Sequence, residues 1–187
     1  MKARIAIAFL ATMALALPAS AQAGLPKTSN TLIVPGKSIG GVALGSTVAS
    51  VTKAWGTNKA CEYQCLYQGK AGATETPSLG SVLLESKAEG LPLKVWMVFI
   101  NVGEQTGGAK VVPNFNTPLT RFKTAKGIGL GSKASELKQA YPAAKKDAIV
   151  PGVTVYTIEG PREIATIFTT GAANKVTGIT VESHPGG

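Results

Sequence analysis

Apolar and polar positions follow a helical period twice in this chain, and each time a strand-like alternation comes next. Val48, Val51, Thr52 and Trp55 recur at helical spacing, as do Ala134, Leu137, Lys138 and Tyr141. This predicts two short helices with one apolar face each. Gly56 and Pro142 end them in different ways. After the first helix come "YQCLYQ", "SVLLES" and "LKVWMVFINV"; after the second come "GVTVYTIE", "REIATIFTT" and "KVTGITVES". These segments are rich in β-branched and aromatic residues, and turn-forming stretches such as "GKAGATETPSLG" and "GAANK" separate them.

The entry to each helix is also repeated. "GVALGSTVASVTKAWG" (Gly41 to Gly56) aligns with "GIGLGSKASELKQAYP" (Gly127 to Pro142) at an offset of 86. Gly45 or Gly131 lets the chain turn sharply, and Ser46 or Ser132 is the expected N-cap. A helix followed by three strands, written twice, predicts an α+β protein of two tandem repeats, each with a short helical segment packed on an antiparallel sheet. The segment from Gly103 to Pro118 reads as a linker, with a boundary near Ala109. The expected organisation is a leader over 1–23, a first repeat over 24–108 and a second over 109–187.

The leader reading rests on Lys2 and Arg4, an apolar run from Ile5 to Leu17, and small residues at Ala19, Ala21 and Ala23. That is the order of a secretory signal peptide, with cleavage expected after Ala23 or Ala21. No later stretch reaches the roughly 20 apolar residues of a membrane span. The expected location is the periplasm or the cell exterior, with the chain soluble after cleavage. Removing residues 1–23 leaves 164 residues and lowers the formal charge from +9 to +7. Only Lys145 and Lys146 are adjacent, and Arg121 and Arg162 are the only arginines left. Such scattered charge does not make a nucleic-acid reader's stripe. It leaves a solvated basic surface, or a binder of anionic envelope polymers or carbohydrate, as alternatives.

In an exported chain Cys61 and Cys65 form a disulfide by default. A regular strand would hold their α-carbons about 13 Å apart, beyond the roughly 7 Å a disulfide tolerates, so Glu62, Tyr63 and Gln64 must turn. No metal site and no cofactor is expected. Gly36-Lys37-Ser38-Ile39-Gly40 matches G-x-S-x-G, which makes a serine hydrolase using Ser38 an alternative reading. That chemistry needs a strand-to-helix turn and a base, and the sole histidine is His184 near the end of the chain. "GEQTGGAK" is not a phosphate loop, because Ala109 stands where lysine should follow Gly108. Glu159 and Glu163 flank a turn rather than forming an acid pair. No catalytic residue is assigned.

In "KVWMVFINV", Val95, Met97 and Phe99 are expected on one side of a strand, with Trp96, Val98 and Ile100 on the other. A strand apolar on both faces is buried on both, or has one face covered by the second repeat or by a partner. Tyr63, Tyr67, Trp96 and Tyr156 are the candidate contact aromatics, the side chains enriched at binding hot spots.

The pattern Gly-x-Val-x-Leu-Gly-Ser with its helix ending Trp-Gly, and its second edition from Gly127, resembles the small exported repeats of the beta-lactamase-inhibitory-protein-like superfamily, which takes in SmpA/OmlA-like domains. The resemblance implies a tandem helix-plus-sheet fold and a binding role with no catalysis. It also implies a protein partner met by loops and a sheet face. The loop aspartate that such inhibitors use has only Glu75 as a counterpart here, and the anchoring cysteine of the assembly lipoproteins is missing. The expected function is that of an exported, non-enzymatic protein-binding module.

Overall fold

The two helical stretches fold as α1 (Val48–Trp55) and α2 (Ala134–Ala140) in the computed structural model. It describes residues 24–59, 61–69, 78–86, 91–102, 113–150, 152–171 and 173–183. Residues 1–23, Glu75, Ala109 and His184 therefore lie outside the described residues. Both helices present the expected apolar face, with Val51, Trp55 and Leu137 fully buried.

The caps fall one residue later than expected. Thr47 is the N-cap of α1, its side chain accepting from the Ser50 N–H at 3.4 Å. Lys133 precedes α2, and its own N–H donates to Glu136 at 2.9 Å. Ser46 and Ser132 serve the turn instead. Ser46 Oγ donates to the Ala43 carbonyl, and Ser132 Oγ accepts from the Gly129 N–H at 3.1 Å.

The strands, in chain order, are β1 (Leu32–Val34), β2 (Ser38–Ile39), β3 (Val42–Ala43), β4 (Gln64–Gln68), β5 (Leu79–Glu85), β6 (Lys94–Asn101), β7 (Lys123–Thr124), β8 (Lys145–Val150), β9 (Val153–Glu159), β10 (Ile164–Thr170) and β11 (Val176–Ser183). They make an α+β fold with two sheets. One has four short strands in the order β3-β2-β1-β7, and the other has seven in the order β4-β5-β6-β11-β10-β9-β8. The smaller sheet, the parallel β1–β7 pair inside it and the extra strand β8 go beyond the sequence reading. The large sheet is shared: β6 of the first half pairs antiparallel with β11 of the second.

The repeated glycine-serine turn explains how both halves attach to this sheet. Gly45 N–H donates to the Val95 carbonyl at 2.7 Å, and Val95 N–H donates to Ser46 at 2.9 Å. Gly131 N–H donates to the Val176 carbonyl at 2.8 Å, and Val176 N–H donates to Ser132 at 2.8 Å. Gly45 and Gly131 hold φ of +77° and +86°, which side chains with a Cβ rarely adopt. Val95 and Val176 thus hold the same place in their halves. Four residues beyond each lie Phe99 and Thr180, which are cross-strand partners. Bulges follow the same symmetry, with Trp96 the extra residue opposite Leu83/Leu84 and Thr177 the extra residue opposite Thr169/Thr170.

The core lies between one face of the large sheet and the layer formed by α1, α2 and the small sheet. Trp55 is its largest member. Its indole Nε1 donates to the Gly40 carbonyl at 3.2 Å. Its ring meets Tyr67 edge-on at 5.4 Å and Phe122 at 6.5 Å. In the second half Tyr141 takes the corresponding position and stacks on Phe168 at 5.9 Å. The halves are also tied across the core side: Lys123 N–H donates to Thr31 at 3.0 Å, Gly36 N–H to Thr166 Oγ1 at 2.6 Å, and Arg121 to the Thr28 carbonyl at 2.7 Å.

Candidate functional site

Alternation along the large sheet sorts its residues between two faces. Cys65, Tyr67, Val82, Val95, Val98, Ile100, Phe168, Ile179 and Val181 are buried on the face under the helices. Leu66, Ser81, Leu83, Met97 and Phe99 stand on the opposite face, together with Thr157, Ile167, Thr169 and Thr180. The two helices and the small sheet all pack on the first face, so no described helix or strand covers the second. The bulge at Trp96 changes the expected partition of β6: Val95 joins Val98 and Ile100 in the core, while Met97 and Phe99 share the open face.

Register lets the two halves of this face be compared position by position. Ser81 pairs with Phe99, and Leu66 with Ser81. Ile167 pairs with Thr180, and Thr157 with Ile167. Leu66 therefore corresponds to Thr157, Leu83 to Thr169, Met97 to Gly178 and Phe99 to Thr180. The buried face keeps its apolar character through the same correspondence, with Val98 matched by Ile179 and Ile100 by Val181. At these four positions the first half carries half-buried apolar side chains where the second carries threonine and glycine, while Ser81 and Gln64 of the first half are matched by Ile167 and Val155 of the second. Gln64 lies across this cluster, its Nε2 donating to Ser81 Oγ at 2.8 Å.

The four candidate aromatics are not brought together. Tyr67 is 1% exposed and Tyr156 6%, both on the buried face. The Tyr67 hydroxyl donates to the Gly56 carbonyl at 2.8 Å, and burial pushes its pKa up to about 12. Trp96 is half-buried at the bulge, and Tyr63 stands 71% exposed in the turn before β4. Cys61 and Cys65 are disulfide-bonded with α-carbons 4.2 Å apart, so the intervening residues turn as the spacing requires.

The catalytic alternatives have little geometry. Ser38 is buried in β2, followed by a turn and β3 rather than by a helix, so the strand-to-helix elbow is missing. Glu159 ends β9 and forms an exposed ion pair with Lys145 at 2.6 Å, and Glu163 belongs to the turn before β10. A shallow cavity of about 330 Å³ adjoins Lys126, Tyr141, Lys145 and Glu159. Its cations are already engaged: Lys126 donates to the Ala140 carbonyl at 2.6 Å and lies over the Tyr141 ring. Among the described residues no group of three or more His, Cys, Asp or Glu side chains is placed to hold a metal, and no helix is long and apolar enough to cross a membrane.

No protein-family model matches the chain. No curated protein matches it either. Among solved structures, a DUF4309 family protein, YjgB from Bacillus subtilis, is similar to it at 12% identity and a TM-score of 0.48, over 80% of this chain and 88% of that one.

Proposed function

We propose that this chain is an exported, non-enzymatic module that binds a protein partner on the open face of its seven-stranded sheet. The binding surface is the first-half cluster of Leu66, Leu83, Met97 and Phe99. One observation carries the reading: the same fold positions in the second half are Thr157, Thr169, Gly178 and Thr180. Ser81 and Ile167 show the reverse exchange at the position between them, but the larger apolar group gathers in the first half, which supports a contact made there. Uncovered apolar clusters of this kind mark interaction surfaces. The leader-like residues 1–23 and the Cys61–Cys65 disulfide support a periplasmic or extracellular setting. The matched turns, bulges and β6–β11 register support descent of the two halves from one unit, which agrees with the resemblance to the inhibitory-protein-like repeats.

The test is capture from envelope and secreted fractions by the chain from Gly24 onward, at low and at high salt. One protein retained at both salts, and lost with Phe99→Thr, fits this surface. Retention of anionic polymer at low salt alone transfers the reading to the basic surface. Exposed charge contacts are screened beyond about 8–10 Å at moderate ionic strength.

A further inference from the structure

The two halves differ at one further place, the outer edge of the large sheet. In the second half β9 is flanked by β8, whereas its counterpart β4 ends the sheet with no described strand beyond it. We propose that the outer edge of β4 takes up one extended segment of a partner protein as an added antiparallel strand, in the position that β8 occupies on β9.

The backbone of β4 is set for this. Tyr63 accepts from Leu84 N–H and Gly69 N–H donates to Ser78, both at 2.9 Å. The odd-numbered residues of β4 are therefore the ones bonded to β5, and the backbone groups of Gln64, Leu66 and Gln68 point outward. Gly160 N–H donates to Ile164 at 2.7 Å, which sets the same alternation on β9, where Val155 and Thr157 face Asp147 and Lys145 of β8. The internal template thus shows which residues an added strand would meet. Asn58 already supplies one such bond from a side chain, its Nδ2 donating to the Leu66 carbonyl at 2.8 Å. An incoming strand replaces that amide with its own N–H.

Chain length explains why no described strand takes the position. Eleven residues lead from Trp55 to Leu66, but sixteen lead from Tyr141 to Thr157. The shorter connection has no room for a β8-like hairpin arm, and the Cys61–Cys65 disulfide holds it in place. The edges also differ in charge. β8 carries Lys145, Lys146 and Asp147, the kind of charged edge that resists further pairing. β4 reads Gln-Cys-Leu-Tyr-Gln, with no charge and no proline. Strand addition to such an edge draws affinity from main-chain bonds and specificity from alternate side chains. An apolar side chain beside Leu66, flanked by polar ones beside Gln64 and Gln68, is the sequence class that fits.

This inference rests on the binding-module reading but not on the open face, and the two fail separately. Twelve-residue random peptides displayed on phage are selected against the chain from Gly24 onward, then measured by calorimetry and amide hydrogen exchange. The expected peptides slow exchange at the Leu66 and Gln64 amides and lose roughly tenfold or more in affinity with Gln64→Pro, the scale of a lost backbone hydrogen bond. Proline there removes no backbone bond to β5, only the side-chain bond from Gln64 Nε2 to Ser81 Oγ, which Gln64→Ala removes by itself as the control. N-methylation of alternate peptide residues, which leaves the protein untouched, abolishes binding in one phase of alternation and spares it in the other. Phe99→Thr leaves peptide affinity within roughly twofold, since it lies outside this edge. The inference is overturned if no peptide is selected, if those amides stay unprotected, or if both N-methyl phases bind alike.

Discussion

Phe99 and Thr180 are cross-strand partners at the centre of the large sheet, and each lies four residues beyond the valine that its half's glycine-serine turn grips. The pair sits where a two-fold relation between the halves would place it. One member is aromatic and the other a small polar residue, and both are half-buried on the open face. Phe99→Thr is therefore expected to cost less than about 1.5 kcal/mol, whereas Ile100→Ala, one residue away and fully buried, costs about 2–5 kcal/mol. Urea unfolding of both variants measures the difference.

Gly40, in the turn between β2 and β3, and Gly45, in the glycine-serine turn, separate backbone strain from steric blockage. Gly45 has φ of +77° and open space where a Cβ would stand, so Gly45→Ala should cost only the conformational penalty of roughly 1–2 kcal/mol. Gly40, at φ of +59°, would drive a Cβ into Phe122 and to 2.8 Å from Trp55 Nε1. Gly40→Ala should be more damaging than Gly45→Ala and should shift the tryptophan fluorescence of the folded state.

The helices, six of the seven strands of the large sheet and the α+β class were legible in the chain, because Val51, Trp55, Leu137 and the alternating segments carry their periods locally. The correspondence of the open faces was not. The motif repeats at an offset of 86, but Val95 and Val176 are 81 apart and Leu66 and Thr157 are 91 apart. Loops and the β8 arm absorb the difference, so only register reveals the match. The bulge at Trp96 has no sequence signal of its own, and it moves Val95 from the face shared with Phe99 to the core. Tyr67 and Tyr156 stand on alternating strands where either face was open to them, and packing beneath α1 and α2 decided it.

Tyr67 gives a pH signature. Its folded pKa is pushed up to about 12 by burial, against about 10 in an unfolded chain. Between these values the unfolded state has released the phenolic proton and the folded state has kept it, so stability falls as pH rises from about 10 to about 12. The loss is on the order of 2 kcal/mol. Chemical unfolding across that range should show the slope, and Tyr67→Phe should flatten it while losing the bond to Gly56.

The disulfide closes a short loop, and opening it should cost about 2 kcal/mol in the chain-entropy model. Unfolding with and without reductant gives that figure. Cys61→Ser/Cys65→Ser is expected to behave like the reduced chain, with increased hydrogen exchange confined to β4 and the turn before it.

The most direct measurement of the central claim is the affinity of the captured partner for three forms of the chain. These are the unaltered chain, Leu83→Thr/Phe99→Thr, and Thr169→Ser/Thr180→Ser. The first-half variant is expected to stay folded and to lose more than roughly tenfold in affinity, the scale of a hot-spot truncation, while the second-half variant binds as the unaltered chain does. Equal affinity for all three, or a loss confined to the second-half variant, would contradict that claim.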